Sequence, residues 1–200
     1  MITNGEEHAA SRVPRQAIDK SGPLSVVWIA NLKRWKQPEV FVRLAAALSD
    51  LTHVRFVLVG ALMAAPDERQ WAETLMASIE ATPNLEYVGQ KSQDEVNALL
   101  ARAHVFVNTS LDEGFANTFI QAWMREVPVV SLHVNPDGVF DRERVGIHAA
   151  GSEELLYQAV RRLITDPQLR SEHAACARIH AGKRHSVRNV RLLEKLIDAS

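Results

Sequence analysis

Cysteine is nearly absent from this chain of 200 residues, which contains only Cys176. A single cysteine cannot form an internal disulfide, which excludes the small, disulfide-rich secreted domains and agrees with a reducing cytoplasm. Cys176 itself lies in a helical pattern and has no catalytic context. No apolar run is long enough to span a membrane, and no secretory signal precedes the first predicted strand. These features predict a cytoplasmic protein.

An excess of one charge is also lacking, because 23 Lys and Arg residues oppose 24 Asp and Glu residues and the formal net charge is -1. This balance argues against a general nucleic-acid binder, so we expect no nucleic-acid partner. Hydrophobic residues make up 46% of the 200 residues, which is enough for one domain with a substantial core. Two full domains would be cramped at this length.

Several sequence motifs of common enzymes are missing. The chain has no GxGxxG for a dinucleotide, no GxxxxGK[ST] for a phosphate-binding P-loop and no GxSxG for a serine hydrolase. It also has no Asp-x-Asp pair of the kind that metal-dependent sugar transferases use, and no HExxH. His180 and His185 lack other plausible ligands in the sequence. We therefore expect no metal site and no bound cofactor.

Strand and helix patterns alternate along most of the chain. Residues 1–23 are polar and broken by glycine and proline, which predicts a linker or a disordered end. Short apolar runs then predict six strands, at residues 25–30, 54–59, 85–88, 105–107, 127–132 and 145–149. Helical patterns lie between them, including one over residues 67–81 and one that Ser92 caps. This alternation predicts an α/β fold with a doubly wound, Rossmann-like parallel sheet.

Residues 105–128 are the most informative stretch, because they predict a strand, a short loop and a helix. Gly114 lets a ligand approach the main chain closely, and Asn117 or Thr118 can cap the helix. Open α/β sheets bind ligands at the carboxyl ends of their strands, where a helix start favours an anion such as phosphate. Glu113 cannot serve the same anion, so we expect it to contact an uncharged group such as sugar hydroxyls.

These residues carry a resemblance to a known family. Glu113-Gly-Phe, a helix beginning near Asn117, Gln121 eight places after Glu113, and Pro128-Val-Val resemble the signature of the retaining glycosyltransferases of group 1, family four. That family includes sucrose synthases and many bacterial polysaccharide enzymes. The resemblance runs from about Ser25 to the end of the chain. It implies that residues 24–200 form the nucleotide-sugar donor-binding domain, the C-terminal half of the two-domain GT-B fold.

The resemblance also implies roles for site residues. Glu113 would hold the transferred sugar, and Gln121 stands where the family has a second glutamate that contacts the ribose. Lys36 falls on a lysine that grips the diphosphate, but Asn31 replaces the arginine five positions earlier, so Arg34 or Lys33 would supply the missing charge. The remaining substrate-binding residues that the resemblance implies are Gly60, Gly89, Gln90 and the loop and helix start made by Gly114, Phe115, Ala116, Asn117 and Thr118.

Each of these residues also has a plain structural interpretation. Glu113 could be a loop carboxylate attracted to the positive end of the next helix, and Gln121 could form a capping box with Thr118. Lys36 alone could be a solvated surface lysine. The joint pattern favours the donor site over these alternatives.

The sequence therefore predicts a glycosyltransferase that uses a nucleoside diphosphate sugar and transfers the sugar to a carbohydrate or lipid-linked acceptor. An N-terminal acceptor-binding domain is the expected partner, and the isolated chain should be inactive. Two alternatives stay open. One is a sugar-nucleotide epimerase of the same architecture, and the other is a non-enzymatic nucleotide-sugar binding module that works with a separate partner chain.

Residues 170–195 contain seven Lys or Arg residues but only two acidic ones, Glu172 and Glu194. A run of helical charges is usually a solvated face. The alternative is a peripheral contact with anionic lipid at the inner face of a membrane.

Overall fold

The computed structural model describes residues 22–113 and 117–184 of the chain. Their strands form one sheet of six parallel strands in the order β3-β2-β1-β4-β5-β6. The strands are β1 Leu24–Ile29, β2 Val54–Val59, β3 Leu85–Tyr87, β4 Val105–Asn108, β5 Val129–Ser131 and β6 Gly146–His148. The prediction of a doubly wound, six-stranded α/β fold is confirmed.

Seven α-helices connect or flank the strands in the described residues. They are α1 Pro38–Ala47, α2 Arg69–Glu80, α3 Gln93–Arg102, α4 Asn117–Trp123, α5 Val139–Glu143, α6 Glu153–Thr165 and α7 Pro167–Arg184. Short 3-10 turns cover Arg34–Lys36, Pro66–Glu68 and Pro136–Gly138. The helix predicted over residues 67–81 is thus shorter, because its first residues belong to a separate 3-10 turn that Pro66 begins.

Both faces of the sheet are buried, which explains why its strands are almost continuously apolar. Successive residues of β1 point to opposite faces, so Val26 and Trp28 belong to one core and Val27 to the other. Helices α1, α2 and α6 cover the first core, and helices α3, α4, α5 and α7 cover the second. In the second core Phe119 makes an edge contact with Phe140, with ring centroids 5.7 Å apart.

The capping box predicted at Ser92 is present. The Ser92 hydroxyl accepts a hydrogen bond from the Glu95 backbone N–H at 3.3 Å, and the Glu95 carboxylate accepts one from the Ser92 N–H at 2.8 Å. Both backbone donors would otherwise be unpaired at the start of α3. These bonds lower the pKa of the Glu95 carboxyl.

The order of the strands creates a switch point, where the direction in which the chain adds strands to the sheet reverses. The chain builds outward from β1 to β2 and β3, then crosses to the other side of β1 and builds β4, β5 and β6. The connections after β1 and β4 therefore leave in opposite directions and open a crevice between them. Strands β1 and β4 are hydrogen-bonded neighbours, with Val26 opposite Val105. Ligands of doubly wound folds bind at this switch point.

The basic segment at the C-terminal end is partly engaged in internal contacts. Arg170 donates to the carbonyl oxygens of Leu163 and Ile164 at 2.7 and 3.0 Å, and Arg178 donates to the carbonyl oxygen of Met124. These two cations thus pair with backbone carbonyls. No helix within the two described ranges combines the length and apolar character that a membrane crossing requires. Contact with a membrane surface stays a prediction, and the predicted linker at residues 1–23 lies almost wholly outside the described residues.

Candidate functional site

A cleft of about 340 Å³ lies at the carboxyl ends of β1 and β4, at the switch point of the sheet. Its walls come from three segments: the end of β1 with the turn after it, the loop after β4, and the start of α4. The lining residues are Ile29, Ala30, Asn31, Lys33, Trp35, Lys36, Glu113, Asn117 and Thr118. Five of the residues predicted for the donor site therefore share one cleft: Lys33, Lys36, Glu113, Asn117 and Thr118.

The turn that carries Lys36 is built against the end of β2. Leu32 is fully buried, and it donates its N–H to the Ala61 carbonyl oxygen at 2.8 Å and accepts the Met63 N–H at 3.0 Å. The 3-10 turn Arg34–Lys36 follows, and Gln37 then adopts a left-handed conformation with φ of 50°. Pro38 occupies the first position of α1, where its missing N–H costs nothing.

Lys36 and Glu113 form an ion pair inside the cleft. Only 15% of the Lys36 side chain and 14% of the Glu113 side chain are exposed. The Ser110 hydroxyl donates to the Glu113 carboxylate at 2.8 Å, and the Lys36 ammonium lies 3.9 Å from the centre of the Trp35 ring. Lys36 is therefore not a solvated surface lysine, and its charge is held by a carboxylate and an aromatic face.

Burial is the main influence on the pKa of Lys36. Removal of the ammonium from water and the nearby charge of Lys33 lower the pKa from 10.5 to about 8. The Glu113 carboxylate opposes this shift, because it favours the charged form of its partner. An anionic ligand in the cleft would act in the same direction as Glu113.

The two residues proposed to replace the family arginine lie in different places. Lys33 lines the cleft, as does Asn31, which occupies the position of that arginine. The guanidinium of Arg34 instead stacks over the ring of Trp71 at 5.9 Å from its centre, and Arg34 is not among the lining residues. The structure thus brings Lys33, and not Arg34, beside Lys36.

Gly60 has a structural reason to be glycine. Its φ is 145°, and an added Cβ would lie 1.7 Å from the carbonyl oxygen of Ala30. The close approach of β2 to the end of β1 therefore forbids a side chain here, whether or not a ligand binds. Gly89 adopts a left-handed conformation with φ of 68° after β3, and its carbonyl oxygen accepts the Gly60 N–H at 2.9 Å.

The remaining residues predicted for the donor site either do not line the cleft or lie outside the described residues. Gly60, Gly89 and Gln90 follow strands β2 and β3 at the same edge of the sheet as the cleft but do not line it. Gln121 lies in the second turn of α4, and its backbone carbonyl accepts a hydrogen bond from Arg125 at 2.9 Å. Gly114, Phe115 and Ala116 lie outside the described residues.

Sequence reasoning missed Thr109 and Ser110, which follow β4 and are both buried. Their position directly after a core strand was a usable signal, because polar residues there face the ligand edge of the sheet. Among residues 22–113 and 117–184, no three His, Cys, Asp or Glu side chains are grouped so as to hold a metal ion. The absence of a metal or other cofactor stays a prediction.

Comparisons with known proteins show the family. The family model for the group 1 glycosyl transferases matches residues 23–166, and the chain therefore belongs to the group 1 glycosyltransferases. A curated relative, glycosyltransferase 1 domain-containing protein 1 of Xenopus tropicalis, is 24% identical over 170 residues, which are 84% of this chain and 48% of the relative. The resemblance seen in the sequence is confirmed at the level of the family.

Solved structures share the fold at low sequence identity. HepE of Anabaena, in complex with UDP, is 19% identical with a TM-score of 0.77, and the match covers 93% of this chain and 51% of HepE. The C-terminal domain of LpcC, a group 1 glycosyl transferase of Francisella tularensis, is 18% identical with a TM-score of 0.73 and covers 89% of this chain and 95% of that domain. The sheet thus matches those of GT-B glycosyltransferases, and the chain spans about half the length of the Xenopus relative and of HepE.

Proposed function

We propose that this chain is the donor-binding, C-terminal half of a retaining GT-B glycosyltransferase. It binds a nucleoside diphosphate sugar and, with an N-terminal acceptor-binding domain, transfers the sugar to a carbohydrate or lipid-linked acceptor. The observation that carries the proposal is the largely buried pair of Lys36 and Glu113 in the cleft at the switch point. Membership of the family and the likeness to the LpcC C-terminal domain support it.

The charge of Lys36 suits the departure of a diphosphate. When the bond between the sugar and the phosphate breaks, its electron pair stays on the diphosphate, while a new bond forms between the sugar and an acceptor hydroxyl. The proton of that hydroxyl passes to an oxygen of the departing diphosphate. A fixed cation stabilises the negative charge that develops on the leaving group. We propose that Lys36, with Lys33 beside it, carries this charge in place of a metal ion.

Glu113 has a different role in the proposal. Its carboxylate would repel a diphosphate if it were alone, but the ammonium of Lys36 offsets its charge. A carboxylate accepts hydrogen bonds from sugar hydroxyls, so Glu113 would orient the transferred sugar while Lys36 holds the phosphates.

The length of the match is also compatible with a second function. The chain spans about half of its full-length relatives, so it could serve as a nucleotide-sugar binding module that acts with a separate partner chain. Such a module should bind a nucleoside diphosphate sugar, but no transfer should follow when it is joined to, or mixed with, an acceptor-binding domain.

The donor site is tested by the variant Lys36→Ala in the 200-residue chain. We expect UDP to bind about 10- to 100-fold more weakly, because a hydrogen bond to a charged group is worth about 1.5–3 kcal/mol, while uridine binding changes little. Calorimetric titration with both ligands measures the difference. UDP is the first probe because HepE was solved with it.

Arg55→Ala is the matched control for this experiment. It also removes one cation, but Arg55 is the exposed second residue of β2. It therefore lies near the amino ends of the strands, whereas the cleft lies at their carboxyl ends. Its UDP affinity should equal that of the wild type. Equal losses for UDP and uridine in Lys36→Ala would show that Lys36 supports the loop and not the phosphates.

The lowered pKa of Lys36 predicts a pH dependence of UDP binding. The free protein holds this proton below about pH 8 and loses it above, whereas bound diphosphate raises the pKa. UDP affinity should therefore be full below about pH 8 and fall by up to about tenfold per pH unit above it. Titrations from about pH 7 to pH 9.5 in wild type and Lys36→Arg measure this effect, since a guanidinium stays charged over that range.

Lys36→Arg also corrects for the ionisation of UDP itself, which affects both proteins equally. The affinity of the wild type should fall more steeply than that of the arginine variant. Parallel curves would show that Lys36 does not titrate in contact with the diphosphate.

A further inference from the structure

We propose that Thr109 is a positioning residue whose buried hydroxyl fixes the turn that holds Lys36 in the cleft. The inference rests on the proposed function for its effect on ligand binding, but its structural part can be tested without any ligand. Thr109 is the first residue after β4 and is fully buried.

The hydroxyl of Thr109 joins the loop after β4 to β1 and to the turn that follows β1, both of which lie more than 70 residues earlier in the chain. It accepts a hydrogen bond from the indole N–H of Trp28 in β1 at 2.8 Å. Its own hydrogen faces the carbonyl oxygens of Lys36 and Gln37, at 2.7 and 2.9 Å, and is shared between them. A hydroxyl has one hydrogen to donate, so the Thr109 donor is fully used on this turn.

The turn needs such an anchor because its backbone is unusual. Gln37 is left-handed, with φ of 50° and ψ of 53°, although it is not glycine. A non-glycine residue keeps this conformation only where its surroundings impose it. Pro38 fixes the chain on one side, and the Thr109 hydroxyl fixes the carbonyl groups on the other.

Neighbouring residues of the same loop serve the other members of the site. Ser110 donates its hydroxyl hydrogen to the Glu113 carboxylate at 2.8 Å, and the Leu111 N–H donates to the Trp35 carbonyl oxygen at 2.9 Å. The loop after β4 therefore holds the backbone around Lys36 and the carboxylate of Glu113 together. Because one loop sets both positions, the ion pair forms in the cleft and not in solvent.

A purely structural role for Thr109 makes a different prediction. If the hydroxyl only satisfied the buried indole of Trp28, its loss would lower stability without changing Lys36. If it positions Lys36, its loss should let the ammonium reach water, and both the titration of Lys36 and the preference for UDP over uridine should change. These two readouts separate the interpretations.

The experiment uses four variants of the full chain. Thr109→Val replaces the hydroxyl by a methyl group, Thr109→Ala removes it without adding bulk, and Thr109→Ser keeps it. The control is Thr82→Val, because Thr82 is also buried and donates its hydroxyl hydrogen to the Ser78 carbonyl oxygen at 2.7 Å. Thr82 lies between α2 and the start of β3, at the amino ends of the strands, whereas the cleft lies at their carboxyl ends. Should Thr109→Val not fold, Thr109→Ala carries the test.

The first readout is the pH titration of the Lys36 side chain by NMR in the free protein. The wild type should titrate near 8, and both variants without the hydroxyl should titrate closer to the ordinary value of 10.5. The second readout is calorimetry, in which UDP should bind about tenfold more weakly to those variants while uridine changes little. Thr109→Ser and Thr82→Val should resemble the wild type in both readouts.

An unchanged Lys36 titration in Thr109→Val and Thr109→Ala would overturn the proposal, as would an equal change in Thr109→Ser or Thr82→Val. A shifted titration in a chain whose wild type binds no nucleoside diphosphate would keep Thr109 as the anchor of Lys36 and reject the donor site instead. The failure of the inference and the failure of the proposed function are thus distinguishable.

Discussion

Replacement of Glu113 by glutamine is expected to reduce sugar transfer by at least about 100-fold when the chain acts with the proposed acceptor-binding domain. Glutamine keeps the size of the side chain but removes the charge that would orient the sugar hydroxyls. The fold should persist, because Glu113 lies in a loop outside both hydrophobic cores and glutamine fills the same space. The loss should therefore appear in turnover and not in the unfolding midpoint.

The ion pair adds a second expectation for the same variant. Glu113→Gln releases Lys36 from its carboxylate partner, and the loss of that carboxylate also lowers the pKa of Lys36 further. The comparison is therefore made well below about pH 8, where the ammonium is charged and available to a diphosphate. UDP should bind to this variant at least as tightly as to the wild type, whereas Lys36→Ala should weaken it. Opposite effects on UDP affinity from the two members of one ion pair would be difficult to explain by general damage to the loop.

Asp112→Asn provides the matched control for Glu113→Gln. Asp112 is the preceding carboxylate, it is exposed, and it does not line the cleft. Its neutralisation should leave both transfer and UDP affinity within about twofold of the wild type, as surface changes usually do. Near-normal turnover in a folded Glu113→Gln protein would remove Glu113 from the proposed chemistry.

The fold was predictable because each of its signals is local. A strand buried on both faces must be apolar at nearly every position, and Val54–Val59 is such a strand with the bounds that the sequence predicts. Ser92 and Glu95 needed only their spacing to identify the start of α3. Once six such strands alternate with helices, the right-handed crossover leaves few topologies to choose from.

The contacts within the site were not predictable, because they join segments that are distant in the sequence. The sequence offered Arg34 and Lys33 equally as a second cation, and only the path of the 3-10 turn places Arg34 over Trp71 and Lys33 in the cleft. The burial of Lys36 likewise depends on the loop after β4. A residue type and a spacing cannot show which neighbour a side chain will meet.

Gly60 shows that a glycine predicted for a ligand site can have an internal structural cause. The resemblance implies that a ligand approaches the backbone at this glycine. The structure supplies an internal reason, since the carbonyl oxygen of Ala30 occupies the space that a Cβ would need. A glycine at a strand end can therefore be required by the sheet alone, and its presence does not by itself support a ligand site.

The largest expected effect concerns the isolated chain. Assayed alone, the 200 residues should bind UDP weakly and transfer no sugar to an acceptor. The described cleft offers Lys36, Lys33 and Glu113 to a donor, but the strands of the described residues form a single sheet, with no second α/β unit to hold an acceptor. The relatives that this chain matches are about twice as long, which leaves room in them for a second unit.

The magnitude follows from what two-substrate catalysis requires. Holding both reactants in the correct orientation can supply about 7–11 kcal/mol of a barrier, so a site that holds only the donor should lose most of its rate with every donor contact intact. Slow hydrolysis of the donor is the reaction that such a site can still support, because water needs no binding surface of its own.

The measurement compares the isolated chain with the same chain joined to, or mixed with, an acceptor-binding domain. Calorimetry with UDP comes first, followed by incubation with a UDP-sugar and candidate acceptors, with both free UDP and glycosylated product quantified. Release of UDP without product would agree with a donor half. Robust product from the isolated chain would show instead that the chain is complete, and absence of binding to any nucleoside diphosphate would remove the donor site, because then neither the cleft nor its ion pair would serve a sugar nucleotide.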